Sequence, residues 1–185
     1  MGYKTTYPQI IAECGQALSM IDEQTTQTLI DAILGADKVF CVGVGRVLLS
    51  LQAICKRFNH LGIPCYFVGE IVEPAITERD ILIVGSGSGE SLVPVSIAKK
   101  AKLFGAKVAL ISSNPRSTLT SIADIFVRIP VQTKLGLPDE LNSVQPMTSL
   151  FEQSLLLYGD SLAKLIIDQK HLDIDALWQY HANLE

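Results

Sequence analysis

Several things are scarce in this chain, and each scarcity removes a class of function. Basic residues are outnumbered: 15 Lys and Arg face 19 Asp and Glu, giving a net charge of −4 and an isoelectric point near 5.4. Nucleic-acid binding needs a basic face against the phosphate backbone, so nucleic acid is not expected as a partner. Histidine occurs only 3 times and no ligand-like spacing accompanies it, so no metal site is expected. The cysteines, Cys14, Cys41, Cys55 and Cys65, form no CxxC pair and mostly have apolar neighbours, which suits reduced thiols, several of them in a core. No apolar run approaches the roughly 20 residues that a membrane helix needs. The opening Met-Gly-Tyr-Lys-Thr-Thr-Tyr-Pro has no signal-peptide core behind it. A cytoplasmic protein with no membrane partner is expected.

What is present is a large apolar fraction, 48% of 185 residues, enough for one domain with a full core. Two helical patterns come first within residues 1–36, over 7–20 (Ile10, Ile11, Cys14, Leu18) and 24–34 (Leu29, Ile30, Ile33, Leu34). They read as an addition packed on the domain or on a neighbouring subunit. From 38 to 130 short apolar strands alternate with helices. The strands are Val39–Val42, Cys65–Val68, Ile81–Val84, Val108–Ser112 and Ile125–Ile129. The helices between them are Leu48–Leu61, Leu92–Phe104 and Leu119–Ala123. This alternation predicts a three-layer α/β/α sandwich around a parallel sheet. Residues 131–148 carry prolines and weak periodicity and read as a long loop of the kind that often serves function. A helix over about 149–168, with Ser149 as its N-cap, and a polar tail complete a single domain.

In such sheets ligands lie beyond the carboxyl ends of the strands. One of those ends is Ile-Leu-Ile-Val-Gly-Ser-Gly-Ser-Gly-Glu-Ser, residues 81–91, a strand running into alternating Gly and Ser before a helix with Pro94 in its first turn. Backbone N–H groups at such a turn converge on an anion, and the helix start favours negative charge. Ser86, Ser88 and Ser91 add neutral donors, while Gly87 and Gly89 let the backbone bend and Glu90 completes the loop. This predicts a phosphate-monoester site over Ser86, Gly87, Ser88, Gly89, Glu90 and Ser91, although a merely flexible turn has the same composition. No Gly-Lys-Ser/Thr follows, which argues against nucleoside triphosphates.

Other candidates carry two readings each. Gly43 and Gly45 hint at a dinucleotide fingerprint, but Leu48 stands where its third glycine belongs. They suit close approach of backbone to a ligand or a neighbouring loop. Arg46 fits a phosphate contact or a carboxylate partner equally well. Glu152 completes the capping-box pattern Ser149-Leu-Phe-Glu152, and by spacing alone a helix cap is the simpler reading; as a base it would project into the cleft. His60 within a helix reads more simply as structural than as catalytic, and His181 near the C-terminus reads as part of a frayed end unless the tail docks. His171 has no supporting context. Glu70 and Glu73 read more simply as a solvated loop than as cleft residues.

Taken together, these segments resemble the SIS (sugar isomerase) domain family, in particular its 6-phospho-3-hexuloisomerase branch. The resemblance rests on Gly43-Val-Gly-Arg46, His60-Leu-Gly62, Val68-Gly-Glu-Ile71 with Pro74, and Gly85–Glu90. Gln145-Pro-Met147, Ser149-Leu-Phe-Glu-Gln153 and the terminal His181-Ala-Asn-Leu-Glu185 extend it over nearly the whole chain. It implies a flavodoxin-like α/β fold and a cofactor-free isomerase interconverting D-arabino-3-hexulose 6-phosphate and D-fructose 6-phosphate, the second step of formaldehyde fixation by the ribulose monophosphate route. It further implies a homotetramer whose sites are lined by more than one subunit, with Glu152 as base and His60 or a neighbour's His181 opening the ring or moving protons between oxygens. One departure stands out. The family pattern Gly-Arg-Ser-Gly is here Gly45-Arg46-Val47-Leu48, and the usual Met-Arg-Leu-Met-His is Lys56-Arg57-Phe58-Asn59-His60. Losing one hydrogen bond to a charged group costs about 1.5–3 kcal/mol, and an apolar wall changes which sugar fits. An isomerase of other specificity, or a non-catalytic sugar-phosphate sensor, are the alternatives these changes keep open.

Overall fold

The computed structural model describes residues 2–184. Met1, and Glu185 at the end of the terminal motif, lie outside the described residues. Two helices, α1 (Tyr3–Ser19) and α2 (Glu23–Leu34), precede the alternating core. The core runs β1 (Val39–Val42), α3 (Gly45–His60), β2 (Cys65–Phe67), β3 (Ile81–Gly85), α4 (Leu92–Leu103), β4 (Lys107–Ser112), α5 (Thr118–Ile122) and β5 (Ile125–Arg128). A long helix, α6 (Ser149–Lys170), and a 3₁₀ turn over Ala176–Tyr180 follow.

All strand pairs are parallel, in the order β2-β1-β3-β4-β5, so the expected three-layer α/β/α sandwich is the observed one. This is the flavodoxin-like order, in which the chain reverses direction between β1 and β3. The strands read as unbroken apolar runs because both faces are covered, and their period of 2 sorts the side chains. Val39, Cys41, Ile81, Ile83, Ala109 and Ile111 share a core with α1, α2, α3 and α6. Phe40, Val42, Leu82, Val84, Val108 and Leu110 share the other with α4 and α5. The four cysteines are buried free thiols. Among the described residues no helix is long and apolar enough to cross a membrane.

Two boundaries differ from the sequence reading in ways that matter to the site. Helix α3 starts at Gly45 rather than Leu48, with Val44 at the N-cap, so Arg46 and Val47 occupy its first turn beside the β1 end. Helix α6 starts at Ser149, but its N-cap is Thr148 and makes no capping hydrogen bond through its side chain. The expected capping box on Ser149 is therefore absent, and Glu152 has other partners. The C-terminal tail is also ordered: its 3₁₀ turn packs against α3.

The segment 131–148 is less loop-like than its composition suggests, because two carboxylates organise it. Glu140, buried, accepts from Thr133 N at 3.1 Å, Thr133 Oγ1 at 2.8 Å, Leu137 N at 3.1 Å and Ser113 Oγ at 3.1 Å. Glu13 of α1 accepts from Ser143 Oγ at 2.7 Å, Val144 N at 2.8 Å and Gln145 Nε2 at 3.0 Å. Burial opposes the Glu13 charge, but these three donors outweigh it and hold the carboxyl below its ordinary range. The N-terminal helix thus fixes the loop that runs up to the candidate site.

Candidate active site

The loops leaving β1 and β3 meet where the strand order reverses, and a cavity of about 460 Å³ opens there. Ser86, Gly87, Ser88 and Ser91 form one wall, Val44 and Val47 a second, and Thr133, Lys134 and Thr148 a third. The Gly-Ser loop is tied down from behind. Ser112 Oγ donates to the Gly87 carbonyl at 3.1 Å, and Asn114 Nδ2 donates to the Ser88 carbonyl at 3.0 Å. Gly89 spends its N–H on Ser86 Oγ at 3.1 Å and has a φ of +70°, so it shapes the turn and stands outside the lining. A Cβ at Gly89 would stand 2.1 Å from Ser117 Oγ, so the turn closes only with glycine.

The hydroxyls are arranged rather than loose. Ser86 Oγ and Ser91 Oγ lie 3.2 Å apart and share one hydrogen, while Ser88 Oγ accepts from Glu90 N at 3.3 Å. Glu90 is turned away from the cavity. Its carboxylate accepts from the Thr118 backbone N–H at 2.7 Å, at the start of α5, and that bond holds its carboxyl below the usual range. Glu73 likewise braces its own loop, accepting from Gly69 N at 2.7 Å.

Glu152 is buried at the start of α6, with its side chain 9% exposed. One carboxylate oxygen pairs with Arg46 Nε, and the other accepts from Thr148 Oγ1 at 2.9 Å. Ser50 Oγ donates to the Glu152 carbonyl at 2.9 Å, so α3 and α6 are joined at this residue. Of the two roles open to Arg46, the carboxylate pairing is the one observed. Thr148 lines the cavity and touches Glu152, which places the carboxylate one hydrogen bond behind the wall.

Val47 stands in the wall of the cavity. Its Cγ1 stands 2.9 Å from where a Cβ on Gly85 would lie and 3.3 Å from one on Gly43. The valine therefore fills the gap between the two strand ends and presents methyl groups to the cavity. Gly43 lies beneath it, buried.

The histidines gather elsewhere. His60 ends α3, about 21 Å along the helix axis from Arg46 at 1.5 Å per residue. It stacks on His181 with ring centroids 5.1 Å apart, and His181 in turn lies 5.2 Å from Trp178. His181 Nδ1 donates to the Ala182 carbonyl at 2.9 Å, which selects that tautomer. These rings line a separate hollow of about 210 Å³. Within one chain, then, Thr148 links the serine-walled cavity to Glu152, which lines an adjoining hollow of about 220 Å³ with Arg46 and Ser50, and the two histidines lie apart from both.

The sequence reading singled out none of Thr133, Lys134 or Thr148. The only signal for them was the suspicion attached to residues 131–148 as a whole. Among the described residues no group of His, Cys, Asp or Glu is placed to hold a metal.

Known proteins resemble this chain in sequence and in fold. The SIS domain matches residues 32–158. The chain is 36% identical over 177 residues to a 3-hexulose-6-phosphate isomerase of Bacillus subtilis (strain 168), covering 96% of each. It is 34% identical over 173 residues to a 3-hexulose-6-phosphate isomerase of Mycobacterium gastri, covering 94% of this chain and 86% of the relative. The crystal structure of a hypothetical protein from Methanococcus jannaschii, for which a 3-hexulose-6-phosphate isomerase function was inferred, superposes with a TM-score of 0.84 at 28% identity, covering 97% of this chain and 98% of that one.

Proposed function

The chain belongs to the SIS domain family, and on that premise we propose that it interconverts D-arabino-3-hexulose 6-phosphate and D-fructose 6-phosphate through a 2,3-enediol. The observation that carries this reading is the placement of Glu152, a buried carboxylate held by Arg46 and Thr148 at the edge of a hydroxyl-lined cavity.

Moving the ketone from C3 to C2 requires three things, and the site offers each. A base must take the C2 proton, and Glu152 is the carboxylate at hand. The electron pair then passes into the C2–C3 bond and onto O3, where a donor must meet the growing charge; Arg46, paired with Glu152 behind Thr148, is the cation proposed to turn to that oxygen. That turn also uncovers the carboxylate. Glu152 returns the proton to C3, the O2 hydroxyl gives up its hydrogen, and the ketone stands at C2. The phosphate, held by Ser86, Gly87, Ser88 and Ser91 with Gly89 and Glu90 shaping their turn, contributes remote binding energy that aligns the reacting carbons. Gly43 and Gly45 let the first turn of α3 approach the same ligand.

His60 and His181 enter as residues of a neighbouring subunit, opening the sugar ring or moving the proton between O2 and O3. Their distance from Glu152 within one chain supports a site shared between subunits, and the family resemblance implies that the assembly is a homotetramer. The hollow between α1 and α6, lined by Ile10, Ile11, Leu18, Leu156 and Leu157, suits such a contact through its apolar surface. The methyl groups of Val47 favour a second reading, the same chemistry on a related sugar phosphate of different shape.

The test is proton exchange at carbon. Incubation of D-fructose 6-phosphate with the protein in D₂O, followed by proton NMR, is expected to show loss of the C3 proton signal and formation of the 3-ketose. A protein that binds fructose 6-phosphate yet leaves C3 unexchanged would be a sensor, and the isomerase reading would fall.

A further inference from the structure

Resting on the reading of the cavity as a sugar-phosphate site, we propose that Lys134 supplies the charge that holds the phosphate, and that buried Glu140 positions the segment that presents it. Lys134 is the only charged side chain among the described residues lining the cavity. A phosphate monoester carries close to two negative charges at neutral pH, its second pKa being about 6. The remainder of the lining answers that charge only with neutral donors.

Those neutral donors are fewer than the hydroxyl count suggests. The Ser86–Ser91 pair spends one of its two hydrogens internally. The Thr148 hydroxyl is committed to Glu152, and the Thr133 hydroxyl to Glu140. The Gly89 N–H is spent within the loop. A cation opposite the serine wall supplies what the wall lacks, and a charge-assisted bond is about twice as strong as a neutral one.

The placement of Lys134 is built rather than incidental. Glu140 sits behind the segment and clasps the residue before Lys134 at both its N–H and its hydroxyl, then reaches the N–H of Leu137 three residues on. Thr133 Oγ1 also accepts from Leu135 N at 3.2 Å, and Gly136, at φ +60°, turns the chain back. Ser113, the residue after β4, divides its one hydroxyl hydrogen between this carboxylate at 3.1 Å and the Val131 carbonyl at 2.8 Å, which ties the segment to the sheet. Four donors on one buried carboxylate fix the backbone on both sides of an exposed lysine. Glu140 acts through that backbone and does not line the cavity, so it is a positioning residue.

Calorimetric titration tests this, with D-fructose 6-phosphate and inorganic phosphate as separate probes. Lys134→Met is expected to weaken both by about ten- to hundredfold, and Lys134→Arg to recover most of the loss. Glu140→Gln is expected to weaken both in the same direction, and Thr133→Val serves in its place should that variant not fold. A Lys134→Met protein that binds both anions as the wild type does would overturn the assignment of Lys134. A Glu140→Gln protein that melts at lower temperature but binds normally would overturn the positioning role. Wild-type protein that binds fructose 6-phosphate without turning it over refutes the isomerase reading while leaving the lysine test intact. Wild-type protein that binds neither anion ends both.

Discussion

Glu152→Gln separates chemistry from architecture more cleanly than any other single change. The glutamine keeps the size of the side chain, and its amide oxygen still accepts from Thr148 Oγ1, now 2.9 Å from the carboxylate. The backbone tie from Ser50 to the Glu152 carbonyl is untouched. What is lost is the ability to take a proton, together with the Arg46 ion pair. Arg46 has a side chain 66% exposed, so it returns to water at small cost, and such pairs contribute about 1 kcal/mol or less. For a chain of this size that corresponds to a fall in melting temperature of about 2–4 °C at most. Loss of a positioned general base lowers turnover by roughly 10²–10⁴-fold. Turnover of enzymatically generated D-arabino-3-hexulose 6-phosphate, coupled to fructose 6-phosphate detection, reads the first quantity, and calorimetry reads the second. Fructose 6-phosphate should still bind the variant. Activity within tenfold of wild type would remove Glu152 from the mechanism. A collapse in stability alongside lost activity would make it a residue of the fold.

Three other changes probe different parts of the argument. Val47→Ser exchanges methyl groups between the strand ends for a hydroxyl, and is expected to tighten phosphate binding by about ten- to hundredfold if the new hydroxyl reaches the anion; unchanged or weaker binding by titration would mean that the valine wall shapes the site by itself. Gly159→Ala is expected to destabilise the fold by about 1–3 kcal/mol, since its Cβ would come within 2.2 Å of Ile54 Cγ1 where α3 crosses α6; a denaturant midpoint equal to wild type refutes that packing. Burial raises the Asp80 carboxyl, but Lys38 and the Thr77 hydroxyl and N–H more than offset it, so the folded pKa lies below 3.8. A depressed folded pKa stabilises above the unfolded value and is lost as pH falls through the folded one. The stability gap between wild type and Asp80→Asn should therefore be constant near neutral pH and close in acid below about 3.8; a gap that persists there contradicts the assignment.

The division between what could be read in the chain and what could not follows the range of the interactions. Strands such as Ile81–Gly85 announced themselves because burial on both faces demands apolar residues at every position. The Gly-Ser loop was legible because its chemistry is local: the strand, the turn and the helix start lie within eleven residues. Helix α3 was placed three residues late because Gly45 and Val44 carry no capping signal, and only the β1 end shows where the helix begins. The capping box at Ser149 was a local pattern overruled by a distant partner, since Arg46 lies 106 positions from the carboxylate it binds. Lys134 and Glu140 were invisible for the same reason. Nothing periodic marks residues 131–148, and the clasp that orders them draws on Ser113 in one direction and on Glu13, 130 positions from Ser143, in the other. The histidines show the remaining limit. The family resemblance implies His60, or a neighbour's His181, beside Glu152; the length of α3 keeps His60 and the His181 stacked on it away from Arg46 within one chain, so the proposed histidine role calls for a second chain. Mixing a Glu152→Gln protein with a His181→Ala protein puts this to the test. Hybrid oligomers contain sites with an intact glutamate from one subunit and an intact histidine from the other, so activity should reappear on mixing. Two inactive proteins that stay inactive, while size-exclusion chromatography of differently tagged chains shows that they exchange subunits, would place the histidine outside the shared site.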